Sequence, residues 1–502
     1  MKNMKKKIWY IEWNLALINK FLEATTLCIM ILSIPLLYGC KKFIEVEAPV
    51  TSINSGNVYN SDFTAASVLT GVYADIAEGL SSGGLASMTL FPALSSDELT
   101  LYGGVTSAAT NFIPYYTNSL TNLSVQNHSA SIYSTIYTIN SAIEGLAASN
   151  TLTLSVKQQL LGEAKFMRGF CYFYLVNIYG DVPLVLTTDY KINSVIARSS
   201  KSMIYNQITT DLKEAQILLS DKYLKGDAMT AYAPGTEERV RPTKWAATAL
   251  LARVYLFNRN WSDADREATS VINHSSLYQM TNLSNTFLKN NTEAIWQLQP
   301  VTLGFNAEAA RIFLLPASGP SSYHNLYLSH YLTDSFESND LRAKAWVNSV
   351  TVKGTTYYYP YKYKVLTQEI TEYTVVFRLA EQYLIRAEAR IQNSDIENGI
   401  ADLNLIRDRA TDKTQGAIQL PKLSISLGKN DALKAVLHER QVELFMEWGH
   451  RWFDLKRMGY IDEVMGKVTK EKGGTWNTNW QLYPFYVEDL IRDPNLVQNI
   501  GY

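Results

Sequence analysis

The chain has 502 residues, with 46 Lys+Arg against 47 Asp+Glu, 47% hydrophobic residues and only 19% charged ones. That apolar content excludes a disordered polymer, and a net charge of -1 leaves no electrostatic footprint for general nucleic-acid binding. The 32 Tyr and 10 Trp far outnumber the 17 Phe, and rings with a polar tip suit wet recognition surfaces.

Lys2, Lys5, Lys6 and Lys7 open the chain, and Ala24 to Leu37 is a charge-free, mostly apolar run. A bilayer span needs roughly 20 such residues, so this shorter run reads as the h-region of an export signal. Leu36-Leu37-Tyr38-Gly39-Cys40 follows and resembles a bacterial lipobox, in which the Cys becomes the acylated first residue of the mature chain. Residues 1–39 are therefore expected to be a lipoprotein signal peptide, Cys40 the lipidation site, and 40–60 a lipidated tether. Cleavage removes Cys28 and acylation occupies Cys40, which leaves Cys171 alone and allows no intramolecular disulfide. Five of the 46 basic and two of the 47 acidic residues lie in 1–39, leaving 41 against 45 afterwards. Acyl chains, and not a basic patch, would hold such a body to a membrane.

From 61 to 502 the helical period dominates, and a single domain is expected. Asp62 to Glu78 sets Phe63, Ala66, Leu69, Val72 and Tyr73 at helical spacing and stops before Gly79, a C-cap signal. Residues 80–130 are rich in Ser, Thr, Asn and Gly, with Tyr102, Phe112, Tyr115 and Tyr116 among them. Helices are expected over Ser131 to Ala148 and Thr153 to Tyr179, the second ended by Gly180-Asp181-Val182-Pro183.

Helical pairs are expected near 153–219, 243–274 and 378–410. The second has Trp245, Leu250, Ala252 and Tyr255, a turn at Asn258 to Asn260, then Ala264, Ala268 and Ile272. The third has Leu379, Tyr383, Ala387 and Ala389, then Ala401, Leu403 and Ile406. Small residues where helices approach, and large ones in the groove between, are the tetratricopeptide pattern. Residues 300–375 carry Phe305, Phe313, Tyr323, His324, Tyr327, Tyr331, Trp346 and the run Tyr357-Tyr358-Tyr359. Loops this long in a helical protein are usually functional. The expected fold class is all-α dominated: a tetratricopeptide-like helical-repeat scaffold with few short strands and long loop insertions near 80–130 and 300–375.

Motifs of catalysis are missing from the sequence. It contains no phosphate-binding glycine loop, no Gly-x-Ser-x-Gly and no zinc spacing, and His438-Glu439 lacks the second His of a metalloprotease helix. Glu443, Glu447 and His450 are spaced to share one helix face, where ion pairs with Arg440, Arg451 and Arg457 are the expectation, not a metal site. Asp97-Glu98 are adjacent and point apart, whereas a glycosidase needs two carboxylates facing each other across a bond. Neither enzyme activity, cofactor nor metal is expected. Trp245, Trp261, Trp448 and Trp452 read as core, and Asp340 with Arg342 as a loop tie.

Several motifs occur in order after the lipobox. They are Glu163-Ala164-Lys165-Phe166-Met167-Arg168-Gly169 with Tyr179-Gly180-Asp181-Val182-Pro183-Leu184, and Leu379-Ala380-Glu381 through Leu403-Asn404-Leu405-Ile406-Arg407. Gly449-His450-Arg451-Trp452-Phe453-Asp454-Leu455-Lys456-Arg457 follows, and Asp493-Pro494-Asn495-Leu496 through Gly501-Tyr502 closes the chain. Together they resemble the SusD/RagB family of Bacteroidetes outer-membrane nutrient-binding lipoproteins.

The resemblance implies non-catalytic capture of oligosaccharides at the cell surface and delivery to a SusC-like TonB-dependent transporter. It implies four tetratricopeptide-like pairs, a lipid anchor in the outer membrane facing the exterior, and ligand contacts from the loops at 80–130 and roughly 300–330. Glu45 and Glu47, soon after Cys40, resemble the early acids of surface-exported members. Sugars offer apolar C–H faces rimmed with hydroxyls, which Tyr rings cover and Asp, Asn and Arg hydrogen-bond. The candidate ligand residues are thus Asp97, Tyr102, Asn111, Tyr115, Tyr116, Phe305, Arg311, Tyr323 and Tyr327. Peptide capture within the same family is the alternative, and an α-helical glycoside hydrolase a more distant one.

Overall fold

The computed structural model describes residues 2–33, 57–367 and 369–502. Cys40 and the expected tether up to residue 56 lie outside the described residues. The chain divides into two units, Met1–Asn57 and Val58–Tyr502. In the first, α1 (Lys2–Ser33) carries the start of the expected export signal, with Trp9, Trp13 and Phe21 exposed. No described helix is long and apolar enough to cross a membrane.

The second unit is built on a file of helices. These are α2 (Asp62–Ala77), α3 (His128–Ala148), α4 (Leu154–Tyr179), α5 (Lys201–Leu218), α6 (Lys244–Phe257) and α7 (Trp261–Ile272). After the long insertion come α8 (Leu379–Gln392), α9 (Ile396–Arg409), α10 (Lys429–Leu444), α11 (His450–Met458) and α12 (Ile461–Glu471). From α2 to α9 each helix packs on the next, α10 packs on α8, and α11 on α10. Within 153–219, 243–274 and 378–410 the adjacent helices α4/α5, α6/α7 and α8/α9 pack on each other. Composition explains the close spacing: α6 buries Ala246, Ala247, Ala249 and Ala252 beside Leu250 and Leu251. Gly399 on α9 meets α8 so closely that a Cβ there would lie 2.8 Å from the Ala387 carbonyl oxygen. Trp448 and Trp452 are core, while Trp245 and Trp261 are half-buried against it.

Strands are few, short and paired in twos. β1 (Leu99–Leu101) pairs antiparallel with β5 (Leu326–Leu328), β2 (Val182–Pro183) with β3 (Arg198–Ser199), and β4 (Ala294–Leu298) with β8 (Thr374–Arg378). β6 (Val347–Val352) and β7 (Thr355–Pro360) form a hairpin. Lys353 and Gly354 at its tip both have positive φ, the backbone a two-residue turn requires. The two loop insertions thus hold short elements of their own, including helices at Ile113–Tyr116, Glu308–Phe313 and His330–Thr333. Runs of four to six residues are too short to show a helical period in sequence.

One sequence expectation is corrected. Glu443, Glu447 and His450 do not share a helix face, because α10 ends at Leu444 and α11 begins at His450. Between them Met446 and Trp448 take left-handed φ of 56° and 47°. The carboxylates do form ion pairs, but mostly with arginines distant in sequence. Glu443 meets Arg342 (3.0 Å), Arg378 (2.5 Å) and Arg409, and Glu447 meets Lys362 (2.6 Å) and Arg378 (2.8 Å), all buried. Asp340 holds Arg342 at 2.7 Å within the same network. Burying this many charges is tolerable only because each is paired and hydrogen-bonded.

Candidate functional site

The β1/β5 ribbon, with β7 packed on β5, presents an aromatic face. Tyr102 follows β1, and its N–H donates to the Asn325 carbonyl at 2.7 Å, extending the ladder. Tyr327 lies mid-β5 opposite Thr100, and Tyr357 mid-β7 opposite Val350. The Tyr357 ring meets both others edge-on, with centroids 5.2 Å from Tyr327 and 6.3 Å from Tyr102. Edge-to-face packing fixes the rings without covering them; Tyr102 remains 39% exposed. Strand alternation turns Tyr358, the next residue, to the opposite side, where it is also exposed.

Tyr116 lies behind this face, buried in the core. Burial pushes its phenol up to about 12, with the Tyr327 phenol and the Glu471 carboxylate near it adding to the effect. Beyond it, the Tyr331 hydroxyl donates to Glu471 at 2.7 Å, and His330 Nδ1 lies 3.4 Å from the same carboxylate. That hydrogen bond, more than burial, pushes the Tyr331 phenol up to about 12. The rings of His330 and Tyr331 lie 4.1 Å apart. The open rings are thus Tyr357, Tyr102 and Tyr327, with Glu471, Tyr331 and His330 as a second exposed group and Tyr116 buried behind.

Buried polar ties hold the aromatic face from below. Both oxygens of Asp97 accept from Arg451, at 2.8 and 2.6 Å. Burial raises the Asp97 carboxyl, but the Arg451 guanidinium more than offsets this and keeps it below the usual carboxylate range. The Ser329 hydroxyl donates to the Asp97 carbonyl and the Ser329 N–H to the Glu98 carbonyl, joining β1 to β5. Lys472 sits under the Tyr116 ring, 4.9 Å from its centroid, and donates to the Leu94 carbonyl at 2.8 Å and to the Ser96 carbonyl. Burial pushes its ammonium down to about 7.

The sequence candidates are thereby sorted. Tyr102 and Tyr327 come together around Tyr357, whereas Tyr116 is buried, with Lys472 against its ring. Asp97 is enclosed with Arg451, and Tyr115 is enclosed with its hydroxyl bonded to His128 Nε2 (2.9 Å) and accepting from the Gln126 N–H (2.8 Å). Asn111 stands exposed on the turn leading into Ile113–Tyr116. Tyr323, 92% exposed, precedes β5 and makes no ring contact with the three tyrosines. Phe305 and Arg311 line a separate small pocket, where Arg311 pairs with Glu308 at 2.7 Å. Sequence reasoning missed Tyr357, Tyr331, His330 and Glu471. Period-two alternation through Tyr357-Tyr358-Tyr359 was a usable signal for the first; nothing in sequence ties Glu471 to Tyr331, 140 residues away.

Two family profiles match successive parts of the chain. One, described as "Starch-binding associating with outer membrane", covers residues 106–256, and the SusD family profile covers 331–502. SusD-like protein P25 of Formosa agariphila is 24% identical, spanning 90% of this chain and 92% of its own. A SusD-like protein of Bacteroides ovatus is 26% identical over 64% of this chain and 63% of its own. Among solved structures, a SusD superfamily protein of Bacteroides vulgatus superposes with a TM-score of 0.73 at 20% identity, covering 88% of this chain and 99% of that one. A laminarin-binding SusD-like protein gives 0.68 at 23% identity, covering 87% and 99%. At such identities the solved structures speak for the fold alone. With α4 to α6 under one profile, α8 to α12 under the other and the helical file matching theirs, the chain belongs to the SusD/RagB family.

Proposed function

We propose that the protein captures oligosaccharides without altering them and delivers them to a SusC-like TonB-dependent transporter in the outer membrane. In this reading residues 1–39 are the leader, Cys40 carries the lipid, 40–60 is the tether and 61–502 the capture domain. The observation that carries it is the group of Tyr102, Tyr327 and Tyr357, set edge-to-face on paired strands with ring surface left open. Rigid rings cover the C–H faces of a sugar at little entropic cost, and their hydroxyls reach its rim. The starch-binding description of the matched family and the laminarin-binding relative support the same ligand class.

A protein that hands on its ligand must release it, so dissociation constants in the micromolar to millimolar range are expected, roughly -8 to -4 kcal/mol. Incubation with polysaccharides separates capture from hydrolysis. Ligand should be depleted from solution with no new reducing ends. New reducing ends would make the protein a glycosidase, and retention of peptides but no glycan would make it a peptide carrier.

A further inference from the structure

We infer that Glu471 makes this face selective for neutral glycans, by excluding chains that carry carboxylate or sulfate groups. The inference rests on the glycan-capture reading above. Glu471 has its side chain 53% exposed, and it is held in place by the Tyr331 hydroxyl at 2.7 Å. It is also the last residue of α12, so the negative end of that helix dipole lies at the same point. The next residue, Lys472, does not offset it from the surface; the basic groups near it are the exposed Lys470 one residue back and His330, whose Nδ1 lies 3.4 Å from the carboxylate. The Lys472 ammonium is drawn beneath the Tyr116 ring and spent on the Leu94 and Ser96 carbonyls. Glu471 therefore stands as an exposed carboxylate beside Tyr331 and His330, just past the end of β5 that carries Tyr327.

An anionic sugar unit about 5 Å from that carboxylate meets unlike solvation and like charge. At water-like dielectric this lowers affinity by roughly fourfold, and the penalty shrinks when salt shortens the screening length to about 3 Å at 1 M. The excess of 45 acidic over 41 basic residues from Cys40 onward acts in the same direction.

The test is titration of the whole chain with a neutral panel (laminarihexaose, maltohexaose, xylohexaose) and an anionic one (hexagalacturonate, oligoalginate, sulfated carrageenan oligomers). Each is run in low salt and at 1 M NaCl. The expected result is binding of at least one neutral chain, with every anionic chain about fourfold or more weaker in low salt. Glu471→Gln, which keeps an acceptor for Tyr331, should narrow that ratio to within about twofold, as should 1 M salt. Tyr331→Phe removes the hydrogen bond but not the charge and should leave the ratio in place. Anionic chains binding as tightly as neutral ones, or a ratio unmoved by Glu471→Gln, would overturn the inference while glycan capture stood. Failure of both panels to bind would instead remove the capture reading, and this inference with it.

Discussion

Arg451 grips Asp97 through two parallel hydrogen bonds, 2.8 and 2.6 Å, although 354 residues separate them in the chain. The pair is buried directly beneath β1 and ties the first loop insertion to α11. Asp97→Ala leaves a buried guanidinium without its partner, which typically costs about 3–5 kcal/mol. Chemical denaturation should show that loss, and the double variant Asp97→Ala with Arg451→Met should recover part of it. Equal losses in single and double variants would mean the pair is not the source.

Tyr357 and Tyr358 are neighbours with opposite roles. Tyr357→Ala removes the ring that braces both Tyr102 and Tyr327 and should weaken glycan binding about tenfold, or ~1.4 kcal/mol. Tyr358→Ala, on the other side of the strand, should bind like the parent. Affinity electrophoresis in polysaccharide gels reads both, and equal retardation of the two variants would locate the ligand elsewhere.

Acid should loosen the loop insertion through His128. Burial pushes its imidazole down from 6.5 to about 4, and it stays bonded to Tyr115 and close to Ser87. The unfolded chain therefore binds the extra proton between about pH 6.5 and 4 while the folded one does not. Stability from this residue is full above 6.5 and falls as pH drops toward 4, by about 3 kcal/mol in total. Denaturation midpoints measured across this range should fall with pH, and His128→Gln should flatten that limb.

Membrane attachment should depend on one sulfur. Cys40→Ser removes the acylation site, so the protein should move from the membrane fraction to the soluble one and lose its lipid mass by mass spectrometry. Its glycan affinity, measured after purification, should match that of the parent.

The helical file was readable in sequence because each helix carries its own signal. Small residues such as Ala252 and Ala268 mark close approaches, and Gly180 and Asn258 mark ends. The broken run from α10 to α11 was not readable, since only tertiary packing holds Met446 and Trp448 in left-handed backbone. The candidate face was half readable. Tyr102 and Tyr327 stood out as loop tyrosines, but sequence could not tell them from Tyr115 and Tyr116, which are buried, the first with its ring against Phe91 and Tyr483. That distinction depends on the packing of the four-residue helix that buries both of them. Glu471 lay beyond reach for a different reason: its partner Tyr331 reaches it only through the folded ribbon.

Titration calorimetry of the chain and its Tyr102→Ala/Tyr327→Ala variant against a panel of neutral oligosaccharides tests the central claim most directly. The account predicts heat for at least one glycan, a micromolar to millimolar dissociation constant, and loss of that heat in the variant while its thermal unfolding stays cooperative. Binding of equal strength in parent and variant, or heat from peptides and from no glycan, would contradict it.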